Sequence, residues 1–339
     1  MELSLKRQVN KSALSRVYGK DRVADFAKPK AVLDGYHELA QSGLVISALH
    51  ATNQYVEQYR RSMTTHWPAF VTNVCRPHPL FHIFQQDPMT RRIYEKPRGY
   101  AGDAVMLDYI YDKNLDSCTE EVTPEGREIF NTLVKMPSGG SVNYRRQVLA
   151  QAIDEKAEAH AKENAAPIRV MNLACGHARE LEFCKTLRTG KVQNILACDQ
   201  DEQSLETLKT RYPDAPVETK QLRVKDLLVN PDTASSIGKF DLIYSMGLYD
   251  YLEERVAARL TRVLFECLSP NGRLLLANYH VDHYGTGFME AFQDWNLIHR
   301  TDKQMRALAH EIDKSQIAKI KQFKDPFGNV AYLQIERKA

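Results

Sequence analysis

The sequence of 339 residues lacks the features of a membrane-spanning, secreted or nucleic-acid-binding protein. No apolar run approaches the roughly 20 residues needed to cross a bilayer, and the opening stretch, MELSLKRQVNKSALSR, has no apolar secretory signal. The net charge is only +3, and no block of lysine or arginine is present to neutralise a phosphate backbone. We therefore expect a cytoplasmic protein that binds neither a membrane nor a nucleic acid.

Cysteine usage also lacks a special pattern. The six cysteines are scattered, and none belongs to a CxxC pair of the kind that holds zinc or forms a redox centre. We interpret them as reduced, mostly small core residues and predict no bound metal. With 43% hydrophobic and 26% charged residues, the composition is that of an ordinary globular protein.

The first half of the chain has the periodicity of helices. Apolar residues before about residue 165 recur at helical spacing, as in VLDGYHELAQSGLVISALHATNQYVEQYRR. The charged, alanine-rich segment EKAEAHAKENAAP ends at Pro167, just before a β-prone run. This pattern predicts an all-α domain over residues 1–165 and a second domain over residues 166–339.

The second half alternates short apolar strands with amphipathic stretches, beginning with IRVMNLA at Ile168. Such alternation predicts an α/β fold with a parallel sheet between helices. The last two strands, IAKIKQF and AYLQIER, are joined by the turn KDPFGNV, which predicts an antiparallel hairpin at the sheet edge.

The ends of the first two predicted strands carry the first candidate binding residues. The turn Ala174-Cys175-Gly176-His177-Ala178 is built from small residues, so its backbone N–H groups can approach a ligand closely. Asp199 ends the second strand and is placed to accept hydrogen bonds from both hydroxyls of a ribose, with Gln200 beside it. We therefore predict that a nucleoside binds here.

The third and fourth predicted strands add further candidates, because open α/β sheets bind ligands at the carboxyl ends of their strands. The segment after the third strand includes Asp226 and Leu227, whose side chain and backbone N–H, respectively, are candidates for reading adenine. Ser245 and Tyr249 lie at the end of the fourth strand.

Together these segments resemble the class I S-adenosylmethionine-dependent methyltransferases from about Ile168 onward. The resemblance implies a Rossmann-like sheet of seven strands with a reversed final hairpin, and S-adenosylmethionine as cofactor. It also implies that Gly176 lies beside the amino-acid end of the cofactor, Asp199 on the ribose, and Asp226 with Leu227 at the adenine.

Three positions depart from that family's pattern. Asn172 replaces the usual acidic residue at the end of the first strand, and Ala174 and Ala178 replace two usual glycines. Alanine adopts positive φ only at a cost, so the turn is expected to be altered or strained. Asn172 also lacks the charge that would favour a protonated amine on the methionine moiety.

A loop in the first half, KPRGYAGD, is unusually rich in specialised residues for a surface connection. Arg98 is a candidate for holding a carboxylate, and Tyr94 or Tyr100 for facing a sulfonium with its ring. With Asn172, these three residues form the predicted catalytic set.

The segments HPLFHIFQQDPMTRRIYEKPRGYAGDA, NYRRQVL, NLACGHAREL and FMEAFQDWNLIHRT are similar to those of a narrower bacterial group. This group contains the methyltransferases of 3-hydroxy fatty acid methyl ester signals and natural-product relatives, including azetidine-2-carboxylate synthases. The resemblance implies a helical lid over the cofactor, with the Lys96 to Asp103 loop facing it.

Three functions remain open from the sequence. The first is methyl transfer to a small molecule, with a carboxylate expected, in bacterial signal or secondary metabolism. The second is cyclisation of S-adenosylmethionine to azetidine-2-carboxylate and methylthioadenosine, which Asn172 and the tyrosines at 94, 100, 244 and 249 would suit. The third is non-catalytic binding of S-adenosylmethionine. The sequence leaves the acceptor and the oligomeric state undetermined.

Overall fold

The structure is a computed structural model that describes residues 26–163 and 165–339. The first 25 residues, on which the expectation about a secretory signal rests, lie outside the described residues. In the described part, none of the helices has the length and apolar character that crossing a bilayer requires.

The described part of the first half is helical, as its periodicity predicts. Several helices begin with proline in the first turn, where its missing N–H costs nothing. The helices are α1 (Ala27–Gln41), α2 (Val45–Ser62), α3 (Trp67–Phe70, continuing in a π-helical turn Val71–Cys75), α4 (Pro79–Phe84), α5 (Pro88–Glu95), α6 (Ala104–Asp112), α7 (Pro124–Leu133) and α8 (Pro137–Lys162).

The second half contains the sheet and its flanking helices. Its elements are β1 (Ile168–Leu173), a 3-10 turn (Arg179–Phe183), β2 (Val192–Asp199), α9 (Glu202–Arg211), β3 (Val217–Gln221), α10 (Val224–Val229), α11 (Pro231–Ser236), β4 (Phe240–Ser245), a 3-10 turn (Tyr249–Tyr251), α12 (Glu254–Glu266), β5 (Leu268–Tyr279), α13 (Thr286–Phe292), α14 (Asp302–Ala307), a 3-10 turn (Lys314–Gln316), β6 (Ile317–Lys324) and β7 (Val330–Arg337).

The sheet has the predicted architecture. Its seven strands lie in the order β3-β2-β1-β4-β5-β7-β6, and β7 runs antiparallel to both of its neighbours. The strand order reverses between β1 and β4, where Asn172 pairs with Tyr244. At such a switch point the two following connections leave on opposite faces and open a cleft. The predicted Rossmann-like fold with a C-terminal antiparallel hairpin is therefore confirmed.

Apolar clusters cover both faces of the sheet, and a third cluster fills the helical region. The helical cluster also includes residues from the second half of the chain, among them Phe288, Phe292 and Trp295. The N–H of Gly287 donates to Glu57 Oε2 at 2.7 Å, so α13 lies directly against α2. The division at residue 165 stays a prediction, because this apolar core crosses it.

Candidate functional site

The turn after β1 has the backbone conformation of a glycine-rich loop although it contains only one glycine. Gly176 has a φ of +52°, and Ala174 and Ala178 have φ values of +58° and +46°. An L-residue in this left-handed region brings its Cβ close to the following carbonyl. The two alanines therefore retain the shape of the turn but are strained, as their departure from the family's glycines predicts.

This strain leads to a stability prediction for Ala174, which is half-buried. The left-handed conformation costs alanine about 1–2 kcal/mol, whereas glycine loses about 0.5–1 kcal/mol through the entropy of the unfolded chain. We expect Ala174→Gly to raise the free energy of unfolding by about 0.5 kcal/mol. Denaturant melts measure this change.

Ala159→Gly, at an exposed position within α8, is the matched control and should lower the same quantity by about 1 kcal/mol. If both substitutions lowered stability equally, the turn at Ala174 would not be strained.

Asp199 is fixed at the end of β2 by backbone hydrogen bonds. Its Oδ2 accepts from the N–H of Gly176 at 2.8 Å, and its Oδ1 accepts from the N–H of Asp201 at 3.0 Å. Burial raises the pKa of Asp199, and these two N–H donors oppose that shift. Each carboxylate oxygen can accept a second hydrogen bond. The side chain therefore ties the turn to β2 and still has acceptor capacity for a ligand.

The Lys96 to Asp103 loop crosses the same edge of the sheet. Arg98 donates to Asp201 Oδ2 at 2.6 Å and to Ser204 Oγ at 2.9 Å. Burial raises the pKa of Tyr100, and the negative charges of Asp199 and Asp201 raise it further. The contact of Arg98 with Asp201 therefore brings this part of the loop to the predicted ribose site.

The far end of the loop approaches the ends of β1 and β4. A Cβ on Gly176 would lie 3.3 Å from the Cβ of Ala104, and a Cβ on Gly102 would lie 2.8 Å from the hydroxyl of Tyr251. Asp103 caps α6 by accepting from the N–H of Met106 at 2.8 Å, which fixes where the loop ends. The loop therefore covers the ends of β1, β2 and β4.

Arg98 thus binds a carboxylate of this chain, not one of a ligand. We expect Arg98→Ala to weaken nucleoside binding roughly tenfold, the loss of about one charge-assisted hydrogen bond, because the loop over Asp199 loses its anchor. Unfolding should become easier by only about 1 kcal/mol. Titration calorimetry and thermal melts measure the two effects. Arg98→Lys keeps the charge and should lose less affinity, whereas unchanged affinity in the alanine variant would make the contact with Asp201 irrelevant to binding.

Asn172 faces a carboxylate that the sequence reasoning missed. Its Nδ2 donates to Glu180 Oε1 at 2.8 Å, and the hydroxyl of Tyr244 donates to the same oxygen at 2.7 Å. Glu180 and Tyr244 are buried, and burial raises the pKa of Glu180. The absent acidic residue at the end of β1 is therefore replaced by an acid eight residues later.

Helix α6 is joined to the same turn by a cluster of ion pairs that the sequence did not reveal. Asp108 accepts from His177 Nδ1 at 2.7 Å and from Arg179 Nη1 at 2.8 Å, and Arg179 also pairs with Asp112. The helical region therefore positions the turn from outside the sheet.

Asp226 and Leu227 do not lie at the end of a strand, and their contact with adenine stays a prediction. The third strand ends at Gln221, and Asp226 lies in the first turn of α10, where its carboxylate pairs with the side chain of Arg223 at 3.0 Å. Leu227 is buried in an apolar core. Gln200 is exposed at the end of β2, and its carbonyl accepts from Gln221 Nε2 at 3.1 Å.

Two residues near the end of β4 have structural roles. The hydroxyl of Ser245 donates to the carbonyl of Leu173 at 2.8 Å and joins β4 to β1. Tyr249 is fully buried on the opposite face of the sheet from Tyr244, and its hydroxyl lies 3.1 Å from Thr261 Oγ1. The side chain of Tyr249 therefore lies in the core, and its contact with the cofactor stays a prediction.

Tyr94 packs in the helical region. Its ring lies edge-on against Phe81, with centroids 4.9 Å apart, in the helical core. A role for Tyr94 at a sulfonium stays a prediction. The negative charge of Asp199 raises the pKa of Tyr100, whereas the hydroxyl of Tyr244 donates to Glu180.

A cavity of about 300 Å³ lies between the helical region and the end of β5. Most of its lining is apolar, and it includes Met89, Met136, Phe288, Met289, Tyr279 and Trp295. Trp295 also donates from Nε1 to the hydroxyl of Tyr251 at 2.8 Å. The inner end of the cavity is therefore next to the carboxyl edge of the sheet.

One polar atom in the cavity wall lacks a partner. The Oδ1 of Asn53 is buried and accepts no hydrogen bond, and its Nδ2 is 4.0 Å from the sulfur of Met136. An unsatisfied buried acceptor costs free energy unless a ligand or water supplies a donor. The cavity therefore suits a mainly apolar ligand that carries a hydrogen-bond donor.

Comparisons with known proteins add to this geometry. No family model matches the sequence. An uncharacterized protein of Rickettsia prowazekii is 28% identical over 105 residues, which are 31% of this chain and 40% of that protein. The chain therefore spans less than half of that relative's length.

Solved structures with a similar fold include a possible exported protein from Bordetella parapertussis, with a TM-score of 0.55, 16% identity, and coverage of 75% of this chain and 87% of that chain. An S-adenosylmethionine-dependent methyltransferase from Mesorhizobium loti has a TM-score of 0.38 and 18% identity, and the match covers 51% of this chain and 92% of that chain. Magnesium protoporphyrin IX methyltransferase from Synechocystis has a TM-score of 0.41 and 11% identity, covering 69% and 96%. At 16% identity, the likeness to the Bordetella protein shows the fold alone.

Proposed function

We propose that this protein binds S-adenosylmethionine at the carboxyl edge of the sheet and transfers its methyl group to a small, mainly apolar acceptor. The observation that carries the proposal is the hydrogen bond of 2.8 Å between Asp199 and the N–H of Gly176. It brings the acidic end of β2 to the small-residue turn after β1. The apolar cavity lies at the end of β5, on the same edge of the sheet.

The residues at this edge fit the cofactor. Asp199 retains acceptor capacity for the ribose hydroxyls, and Gly176 provides a turn without a side chain. Tyr100 belongs to the covering loop, and the negative charge of Asp199 raises its pKa. When bound, the cofactor supplies a methyl group on a positively charged sulfur. The protein then has to orient the acceptor and exclude water.

The cavity supports an acceptor with an apolar body, and a carboxylate is the acceptor group that we propose. A carboxylate attacks without a general base, so proximity and orientation suffice. The unpartnered Oδ1 of Asn53 favours a further hydroxyl or amide on the acceptor. The 3-hydroxy fatty acids that the sequence resemblance implies combine these features.

Cyclisation of the cofactor is the less favoured alternative. It needs a neutral amine on the methionine moiety, and the sequence argument for it rests on a missing carboxylate at Asn172. Glu180 supplies a carboxylate at hydrogen-bond distance from Asn172, and a nearby negative charge favours a protonated amine. The geometry therefore favours methyl transfer.

Incubation with S-adenosylmethionine tests the proposal directly. We expect S-adenosylhomocysteine to form when medium-chain and long-chain carboxylic acids are added, and little product without them. Methylthioadenosine formed from the cofactor alone would instead indicate the cyclase. Tight binding without turnover, across a panel of acids, alcohols and amines, would indicate a non-catalytic binding protein.

A further inference from the structure

Arg145 is a buried cation without a carboxylate partner. From α8 it donates through Nη1 to the carbonyl of Met246 at 3.1 Å and through Nη2 to the hydroxyl of Tyr111 at 2.9 Å. Within residues 26–163 and 165–339, no acidic side chain forms an ion pair with it. A buried charge without a counter-ion is strongly unfavourable. The charge of Arg145 opposes the rise that burial causes in the pKa of Asp250, but no ion pair joins the two groups. Arg145 therefore retains the capacity to bind an anion at the end of β4.

Glu180 is the complementary case. It is 6% exposed, accepts hydrogen bonds from Asn172 and Tyr244 through Oε1, and forms no ion pair within the described part of the chain. A carboxylate can accept about four hydrogen bonds, so acceptor capacity remains on Glu180. Glu180, in the 3-10 turn that follows the Gly176 turn, can therefore bind a cation.

The two charges belong to one region of the molecule. Arg145 donates to the carbonyl of Met246, two residues after Tyr244, and the hydroxyl of Tyr244 donates to Glu180. The positive charge of Arg145 opposes the rise that burial causes in the pKa of Glu180, yet no hydrogen bond joins the two groups. Gly247, next to Met246, would place a Cβ 3.6 Å from Arg145 Nη1, which is ordinary van der Waals contact, so Gly247 lies beside the guanidinium. Two buried opposite charges without contact suit a ligand that carries both.

We propose that Arg145 binds the carboxylate, and Glu180 the ammonium, of the methionine moiety of S-adenosylmethionine. This inference rests on the proposed function, because it assigns the amino-acid end of the same cofactor. It places the ammonium anchor on the 3-10 turn after β1 and leaves the end of β1 itself uncharged.

The inference also explains asparagine at position 172. An aspartate there would set a second carboxylate at hydrogen-bond distance from Glu180, and like charges so close cannot both stay ionised without cost. The Asn172 amide instead donates to Glu180 and holds its carboxylate in place. Asn172 is therefore a positioning residue, and the anchor is the pair that it forms with Glu180.

The test compares nucleosides that differ at the amino-acid end, with dissociation constants measured by titration calorimetry on the full chain. Decarboxylated S-adenosylmethionine also carries a sulfonium, which the other two ligands lack, so its affinity is compared only between the unsubstituted protein and each variant. S-adenosylhomocysteine carries both charges, decarboxylated S-adenosylmethionine keeps only the ammonium of the amino-acid end, and methylthioadenosine has neither. We expect the unsubstituted protein to bind S-adenosylhomocysteine at least about tenfold more tightly than methylthioadenosine.

The variants then assign each charge. Glu180→Gln should weaken the binding of S-adenosylhomocysteine and decarboxylated S-adenosylmethionine about 10- to 100-fold. It should change the binding of methylthioadenosine less than about twofold. Arg145→Gln should weaken only the binding of S-adenosylhomocysteine. Glu182→Gln, on the same 3-10 turn but paired with Arg179 and Arg211, is the matched control and should change none of these preferences.

Two outcomes would overturn the inference while leaving the proposed function standing. One is equal affinity of the unsubstituted protein for S-adenosylhomocysteine and methylthioadenosine, a result that needs no variant to fold. The other is a folded Glu180→Gln protein that loses equal affinity for S-adenosylhomocysteine and methylthioadenosine, or that loses none. If the unsubstituted protein binds none of the three nucleosides, the proposed function itself fails.

Discussion

Gly176→Val is expected to weaken S-adenosylmethionine binding by at least about 100-fold, which corresponds to roughly 2.7 kcal/mol. Gly176 has a φ of +52°, and a Cβ there would already lie 3.3 Å from the Cβ of Ala104. The branched side chain would have to occupy the space between the turn and α6 or the space for the cofactor. Titration calorimetry with S-adenosylhomocysteine measures the loss.

Gly190→Val is the matched control for backbone strain. Gly190 also has a positive φ, +77°, but no heavy atom lies within 4 Å of a Cβ built there. This variant should lose stability through the strained backbone yet bind the nucleoside normally. If the two valine variants bound equally well, crowding at the turn after β1 would have no role in binding.

Asp199→Asn is expected to weaken the same binding by about 10- to 100-fold, because the ribose hydroxyls lose a charged acceptor. Asp199→Ala should do the same and also lower the free energy of unfolding by about 1–3 kcal/mol. The second effect arises because the N–H groups of Gly176 and Asp201 lose their acceptor. Calorimetry and denaturant melts separate the two effects.

Asp241 provides the control for Asp199. It lies at the amino end of β4 and accepts from the N–H of Arg169 at 2.8 Å, so it also bonds to the backbone but lies at the opposite edge of the sheet. Asp241→Asn should leave nucleoside binding unchanged. Normal affinity in a folded Asp199→Asn protein would contradict the assignment of Asp199 to the ribose.

The strands and the parallel sheet were predictable because each strand is a short apolar run separated from the next by an amphipathic stretch. The end of the third strand was not. Leu222, Val224 and Leu227 continue the apolar pattern past Gln221, but they belong to a connection and to the helix α10. Short apolar runs fit a strand or a helix equally well, so Asp226 was placed at a strand end.

The tyrosines after β4 show a second limit to predicting the site from the sequence. A 3-10 turn has three residues per turn, so neighbouring side chains point about 120° apart. Tyr249 is therefore buried in the core, whereas Tyr251, two residues later, meets Trp295 near the cavity. Before the turn type is known, spacing does not show which of these side chains faces the ligand.

Glu180 shows a third limit, which concerns chemistry. The sequence shows that Asn172 lacks a charge, but the compensating acid becomes visible only when the chain turns back and places Glu180 against Asn172 and Tyr244. The segment ARELE, which contains Glu180, follows the small-residue turn directly and was the signal in the sequence for a compensating acid. When a carboxylate is missing at a strand end, the acidic residues of the segment that follows the next turn should be considered as its replacement.

The contact between α13 and α2 has a consequence for cooperativity. A fragment cut at residue 166 would leave Phe288, Phe292 and Trp295 without the helices that bury them, and the helical fragment would lose part of its own apolar core. A Cβ on Gly287 would lie 2.9 Å from backbone atoms of Glu57, so even a methyl group would force the two helices apart. Neither half has a complete interior, and thermal unfolding of the intact chain should occur in a single transition.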